Sequence, residues 1–194
     1  MKRAYRQTRR AEAKSETRRR IVAAAIQLHT TVGPARTTIS AIAEQASVQR
    51  LTVYRHFPRE EDLFRACVEH GWERFPPPDH RSWAMIVDPE RRLRRALTDV
   101  YAYYGAVGDA LATIVRDFPQ LPKLAELNAP YLAHWEEMRD VLAGGWSGRG
   151  RRKRALLAAI AHSLELSTWE SLVGRQGLTE EDAVDLLVRL VRSA

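Results

Sequence analysis

Six side chains within residues 49–55, Gln49, Arg50, Leu51, Thr52, Tyr54 and Arg55, combine donors, acceptors and a methyl-sized apolar contact on a short stretch. Such a set suits the edges of base pairs: a guanidinium fork meets two acceptors, an amide offers one donor and one acceptor, and a leucine packs on a methyl. The apolar residues around them, Ile39, Ile42, Ala43, Ala46, Val48, Val53 and Phe57, are spaced to leave that polar set on an open face. A helical hairpin with a solvated polar face would show the same pattern. A second group is electrostatic. Residues 1–20 hold Lys2, Arg3, Arg6, Arg9, Arg10, Lys14, Arg18, Arg19 and Arg20 against Glu12 and Glu16, while the other 174 residues carry 22 basic and 22 acidic groups. The net charge of +7 therefore resides in one basic arm, the footprint of a polyanion binder or of a solvated tail.

A third group could hold a metal. His134 and Glu137, and again His162 and Glu165, lie three apart, a spacing that places each pair on one helix face as in helical carboxylate sites. The order is His-x-x-Glu rather than Glu-x-x-His and further ligands are missing, so both pairs read as surface contacts and no metal or cofactor is expected. Neither a Ser/His/Asp nucleophile motif nor a glycine-rich phosphate loop occurs, which makes an enzyme the weaker alternative. Cys67 stands alone and cannot form an internal bridge, so a reducing, cytoplasmic setting fits. With 45% hydrophobic and 28% charged residues the chain has a globular composition, and no apolar run approaches the length of about 20 residues that spans a membrane.

The elements that must position these groups follow a helical period. Ile21, Ala25 and Leu28 predict a helix over 16–31, stopped by Gly33-Pro34. Thr38 caps a short helix bearing Ile39, Ile42, Ala43 and Ala46, and after Ser47-Val48-Gln49 a third segment places Val53 and Phe57 one turn apart before Pro58. A fourth helix starts near Arg59 with Glu60, Glu61 and Asp62 in its first turn. Beyond Pro76-Pro77-Pro78 the spacing predicts helices from Pro89 through Tyr104, over 109–117, over 122–143 with a kink at Pro130, over 152–173, and over 180–192 with Thr179 as cap. The expected fold is all-α, about nine helices, with a three-helix helix-turn-helix head and a helical body. Residues 1–57 hold only Tyr5, Tyr54 and Phe57 as aromatics, whereas 71–194 hold eleven, including all five Trp.

Thr37-Thr38-Ile39-Ser40-Ala41-Ile42-Ala43-Glu44-Gln45-Ala46-Ser47-Val48, then Thr52-Val53-Tyr54-Arg55-His56-Phe57-Pro58 and Glu60-Glu61-Asp62-Leu63, resemble the DNA-binding domain of the TetR/AcrR family of transcriptional regulators. The resemblance covers about residues 15–72, leaving a basic arm over 1–14 and a ligand-binding and dimerisation domain over 73–194. It implies that Thr38 and Ser40 meet a phosphate with hydroxyls and helix N–H groups, that Tyr54 and His56 hold phosphates, and that Gln49, Arg50, Leu51, Thr52 and Arg55 face base edges. Three positions depart from the family pattern: Ser47 stands where Gly is usual, Leu51 where a small residue is usual, and Glu60 where Lys is common, with Arg59 beside it as a replacement.

For the body the resemblance implies a homodimer and a pocket for an unknown small-molecule effector, with occupancy releasing the protein, as a repressor, from double-stranded DNA carrying an inverted-repeat operator. Tyr101, Tyr104, Phe118, Tyr131, His134, Trp135 and Trp169 are the candidate pocket residues, since pockets are mostly apolar and aromatic. Leu156, Ile160, Ser163 and Ser167 on one late helix and Leu186, Leu187 and Leu190 on the last are the candidate dimer interface. Packing of these same faces within one chain is the alternative.

Overall fold

A computed structural model describes residues 2–127 and 129–194, with the side chains of residues 2–6, 123–125 and 131 outside that description. The described residues are helical, without a strand: α1 Lys2–Thr31, α2 Ile39–Gln45, α3 Arg50–His56, α4 Glu60–Arg74, α5 His80–Ala84, α6 Pro89–Asp117, α7 Pro122–Leu127, α8 Ala129–Ala143, α9 Gly150–Leu164, α10 Leu166–Trp169 and α11 Glu180–Ser193. They form two compact units, a head of residues up to Arg74 with Asp109–Leu127, and a body of Phe75–Gly108 with Asn128–Ala194.

The head is built on the stripe that the period announces. Ile21, Val22, Ala24 and Ala25 of α1 pack with Ile42, Ala43 and Ala46, with Val53 and Phe57, and with Leu63, Ala66 and Cys67 of α4. Burial pushes the Cys67 thiol up to about 12, so it behaves as a small hydrophobe. At the end of α1, Gly33 takes a φ of 96°, and the buried Asp117 carboxylate accepts from the Ala35 N–H at 3.0 Å. A Cβ at Gly33 would collide with that carboxylate.

In the body, Trp83 fixes α5 by donating from Nε1 to Asp99 at 2.8 Å. The buried Arg92 guanidinium donates to the carbonyls of Ile86 at 2.9 Å, Val141 at 3.1 Å and Gly144 at 2.7 Å, joining the end of α8 to the approach to α6. Thr179 caps α11 by accepting from the Asp182 N–H at 3.1 Å, as its spacing predicts.

Four helix boundaries differ from the expectation. α1 starts at Lys2 rather than at 16, because residues 2–15 are mostly Ala, Arg, Lys, Gln and Glu with no Gly or Pro; propensity extends the helix where no apolar stripe marks it. The segments through Tyr104 and over 109–117 are one helix, α6, running through Gly105 and Gly108. Instead of a single kinked helix over 122–143 there are α7 and α8, with Pro130 inside the first turn of α8, where its missing N–H has no intrahelical partner to lose. The helix expected over 152–173 breaks at Glu165, which is extended at φ −70°, ψ 138°, and Glu170–Arg175 then forms a π turn. The short α5, capped by Asp79, has no apolar period to announce it.

Candidate nucleic-acid interface

The turn between α2 and α3 sets the direction of the exposed helix. The Ser47 N–H donates to Glu44 O and the Val48 N–H to Ala43 O, both at 2.9 Å. This pair of bonds is a Schellman motif with Ser47 in the left-handed position usually given to glycine, at φ 51°. The serine at a glycine position is thus accommodated rather than avoided. At the start of α2, Thr38 Oγ1 accepts from the Ala41 N–H at 3.1 Å and keeps its own hydroxyl proton to donate outward. Ser40 is exposed beside it.

On α3 only Val53 is buried, and the C-capping Phe57 enters the core. Gln49, Arg50, Leu51, Tyr54 and Arg55 are exposed, and Thr52 and His56 partly so. Leu51 is 72% exposed, an apolar side chain on open surface in the middle of a polar face. Burial first, and then Lys14, Arg55 and Arg18, hold the His56 imidazole below its ordinary value. Its surroundings are cationic and suit an anion. Arg59, the residue standing beside the Glu60 departure, is engaged with Asp62 through Nε at 3.0 Å and a second nitrogen at 2.6 Å.

Two residues important to this site escape sequence reasoning. Arg18 stacks over the Phe57 ring at 4.1 Å and donates to His56 O at 3.2 Å, and Arg20 donates to Ala46 O at 3.2 Å and to Ser47 O at 2.9 Å. Counted by sequence as arm charge, both cap the carboxy-terminal ends of α2 and α3 from behind, satisfying carbonyls that the helix dipole makes negative. Nothing in the periodicity marks them. Arg10 and Lys14 remain exposed on α1.

The body aromatics divide. Tyr101 and Tyr104 are buried, and their hydroxyls donate to Ser163 O at 3.4 Å and Leu164 O at 2.7 Å, carbonyls freed where α9 breaks. Tyr104 stacks on Trp135 with centroids 5.7 Å apart and lies 6.1 Å from Trp169. Trp169 Nε1 is buried without a hydrogen-bond partner among the described residues. Gly108 makes room for that ring, since a Cβ there would stand 2.7 Å from it. Phe118 belongs to the head unit, in the 3₁₀ turn Phe118–Gln120. The Tyr131 side chain lies outside the described residues, and His134 Nε2 lies 3.1 Å from Pro78 O. A cavity of about 300 Å³ lies in the head, lined by His29, Thr37, Ile39, Glu60, Phe64 and Leu121 among others.

Of the late-helix residues, Leu156, Ile160, Ser163 and Leu187 are already buried within the chain, whereas Ser167, Leu186 and Leu190 are exposed, the two leucines at 40% and 46%. No helix of the described residues is long and apolar enough to cross a membrane.

A short helix exposing a polar face, reached by a tight turn and braced by a longer helix, is the DNA-binding module of helix-turn-helix proteins. Residues 21–67 match the model of bacterial regulatory proteins, tetR family. Similar folds are those of a TetR-like transcriptional regulator from Rhodococcus (TM-score 0.60, 20% identity, 91% of this chain and 93% of that one), a TetR transcription regulator from Haloarcula marismortui (0.61, 20%, 92% and 98%) and the fatty acid degradation regulator FadR from Bacillus halodurans (0.60, 19%, 90% and 93%). No curated protein sequence matches. Residues 21–67 are thus similar to the tetR family model, and the fold over about nine-tenths of the chain is that of TetR-like transcriptional regulators.

Proposed function

We propose that two copies of this chain bind an inverted-repeat operator in double-stranded DNA, each laying α3 in a major groove, and that a small molecule in the body releases them, making the protein a cytoplasmic repressor. The observation that carries this reading is the exposed face of α3, with Arg50, Leu51 and Arg55 outward, the helix held from behind by Arg18 and the turn before it by Arg20. A braced helix presents its side chains in one geometry, which base readout requires. Thr38, Ser40, Tyr54 and His56 flank that face as donors to phosphates, and Gln49 and Thr52 complete the set facing the bases.

Two-fold symmetry of the operator implies two-fold symmetry of the protein. Leu186 and Leu190, one turn apart and exposed on α11, are the apolar surface the second copy would cover. The effector would bind beside Tyr104, Trp135 and Trp169, where the buried indole N–H of Trp169 offers a donor next to apolar rings and a π turn follows. The test is gel retardation of a duplex from the protein's own upstream region. Two chains per duplex and loss of the shifted band on adding an effector are expected. A protein that ignores such DNA at low salt while turning over a substrate would refute the reading.

A further inference from the structure

His80, His134 and Glu137 of the body converge, their ligand atoms all within 4.8 Å of one another. From this geometry we propose that the junction of α5 and α8 binds one divalent first-row transition ion, zinc-like in its preference, through these three side chains. The sequence pairs His134 with Glu137 on one face of α8; the structure adds His80 from a separate helix, supplying the third ligand that the spacing lacks. His80 Nε2 lies 3.4 Å from a Glu137 oxygen. Two ligands about 2.05 Å from a tetrahedral ion stand about 3.4 Å apart, so this pair already has the edge length of the coordination polyhedron. Glu137 is the most exposed of the three, its side chain 63% accessible against 12% for His80, and its rotation closes the remaining gap.

The supporting shell is in place at His134. The Pro78 carbonyl near His134 can only accept, so Nε2 of that ring carries the proton and the lone pair falls on Nδ1. An imidazole whose second nitrogen donates to a backbone carbonyl has the arrangement found around metal-ligating histidines. His80 stands in the first turn of α5, held by the Asp79 cap and by Trp83, whose indole donates to Asp99. Its Nδ1, the nitrogen turned away from the ion when Nε2 faces Glu137, is buried without a hydrogen-bond partner among the described residues. Two imidazoles and one carboxylate favour zinc, nickel, copper or cobalt over calcium or magnesium, and three protein ligands leave at least one position for water. The second His-Glu pair, His162 with Glu165 at 3.7 Å, is exposed and has no third ligand among the described residues.

The proposal does not depend on DNA binding and is measured on the chain alone. Full-length protein freed of any affinity tag is titrated with Zn²⁺ by calorimetry and with Co²⁺ by visible absorption. One ion per chain and the intense visible bands of four- or five-coordinate cobalt are expected. His80→Ala and His134→Ala should each weaken Zn²⁺ binding at least tenfold, Glu137→Gln should weaken it less, and His162→Ala should leave it unchanged. Should either alanine variant fail to fold, the wild-type cobalt spectrum and the His162→Ala titration decide. Absence of the cobalt bands, or binding that survives His80→Ala and His134→Ala in folded protein, would overturn the assignment.

Discussion

At the scale of residues, the head carries two local costs that can be measured. Ser47 sits at φ 51° in the carboxy-terminal cap of α2, where an L side chain costs about 1–2 kcal/mol and glycine does not. Ser47→Gly should stabilise the head by about 0.5–1 kcal/mol after the added chain entropy of glycine is subtracted, seen as a higher thermal midpoint. An equal or lower midpoint would show that the turn is not strained at this residue. His29 is the second. It is buried against Phe64 with ring centroids 5.8 Å apart, and burial lowers its pKa to about 4 from 6.5. Between those values the unfolded chain holds the proton and the folded head does not, so stability falls as acid is added. The contribution is whole above pH 6.5 and lost progressively down to pH 4, about 3 kcal/mol in all. Urea unfolding of wild type and His29→Leu at pH 7 and pH 4.5 checks this: the wild type should lose more stability on acidification, and equal losses would count against the buried neutral ring.

At the scale of elements, legibility followed the apolar period. α2 and α3 could be read because Ile42, Ala43, Ala46, Val53 and Phe57 are buried at the spacing their period implies, between a capping Thr38 and a terminating Pro58. The first half of α1 could not, since it has no apolar stripe and is helical through propensity alone. The break at Glu165 was hidden for another reason: the carbonyl it frees is satisfied by Tyr104, 60 residues away in sequence. Tyr104→Phe should therefore cost about 1–3 kcal/mol by leaving a buried acceptor unpaired, and a change below about 0.5 kcal/mol would show that the tyrosine is there for its ring alone. The metal-binding triad was illegible because His80 comes from a five-residue helix without a period of its own. The amino-terminal half of α1 has its own test. Deleting residues 1–14 removes six cations and Glu12 but keeps Arg18 and Arg20, so the head should still fold and α3 stay braced. If about two of those cations per chain meet phosphates, a dimer loses four contacts and the slope of log affinity against log salt flattens by about 3.6. An unchanged slope on operator and on random duplex would make this segment a solvated extension.

At the scale of the whole molecule, binding to a symmetric site requires a symmetric assembly. Leu186→Lys with Leu190→Lys changes two side chains that already face solvent, so the monomer should keep its fold while the dimer dissociates, read by sedimentation at micromolar concentration. Affinity for a half-site should then survive and affinity for the full inverted repeat should drop towards it. A double variant that stays dimeric would place the interface elsewhere. The most direct test of the central claim, that α3 reads sequence for a two-fold protein, is selection from a random duplex library with wild type and Arg50→Ala in parallel. Wild type should enrich an inverted repeat with two chains per duplex, and Arg50→Ala should recover the same repeat with preference relaxed at one position in each half and affinity weakened by about 1–3 kcal/mol. Enrichment of no common sequence, or an identical pattern from both proteins, would contradict it.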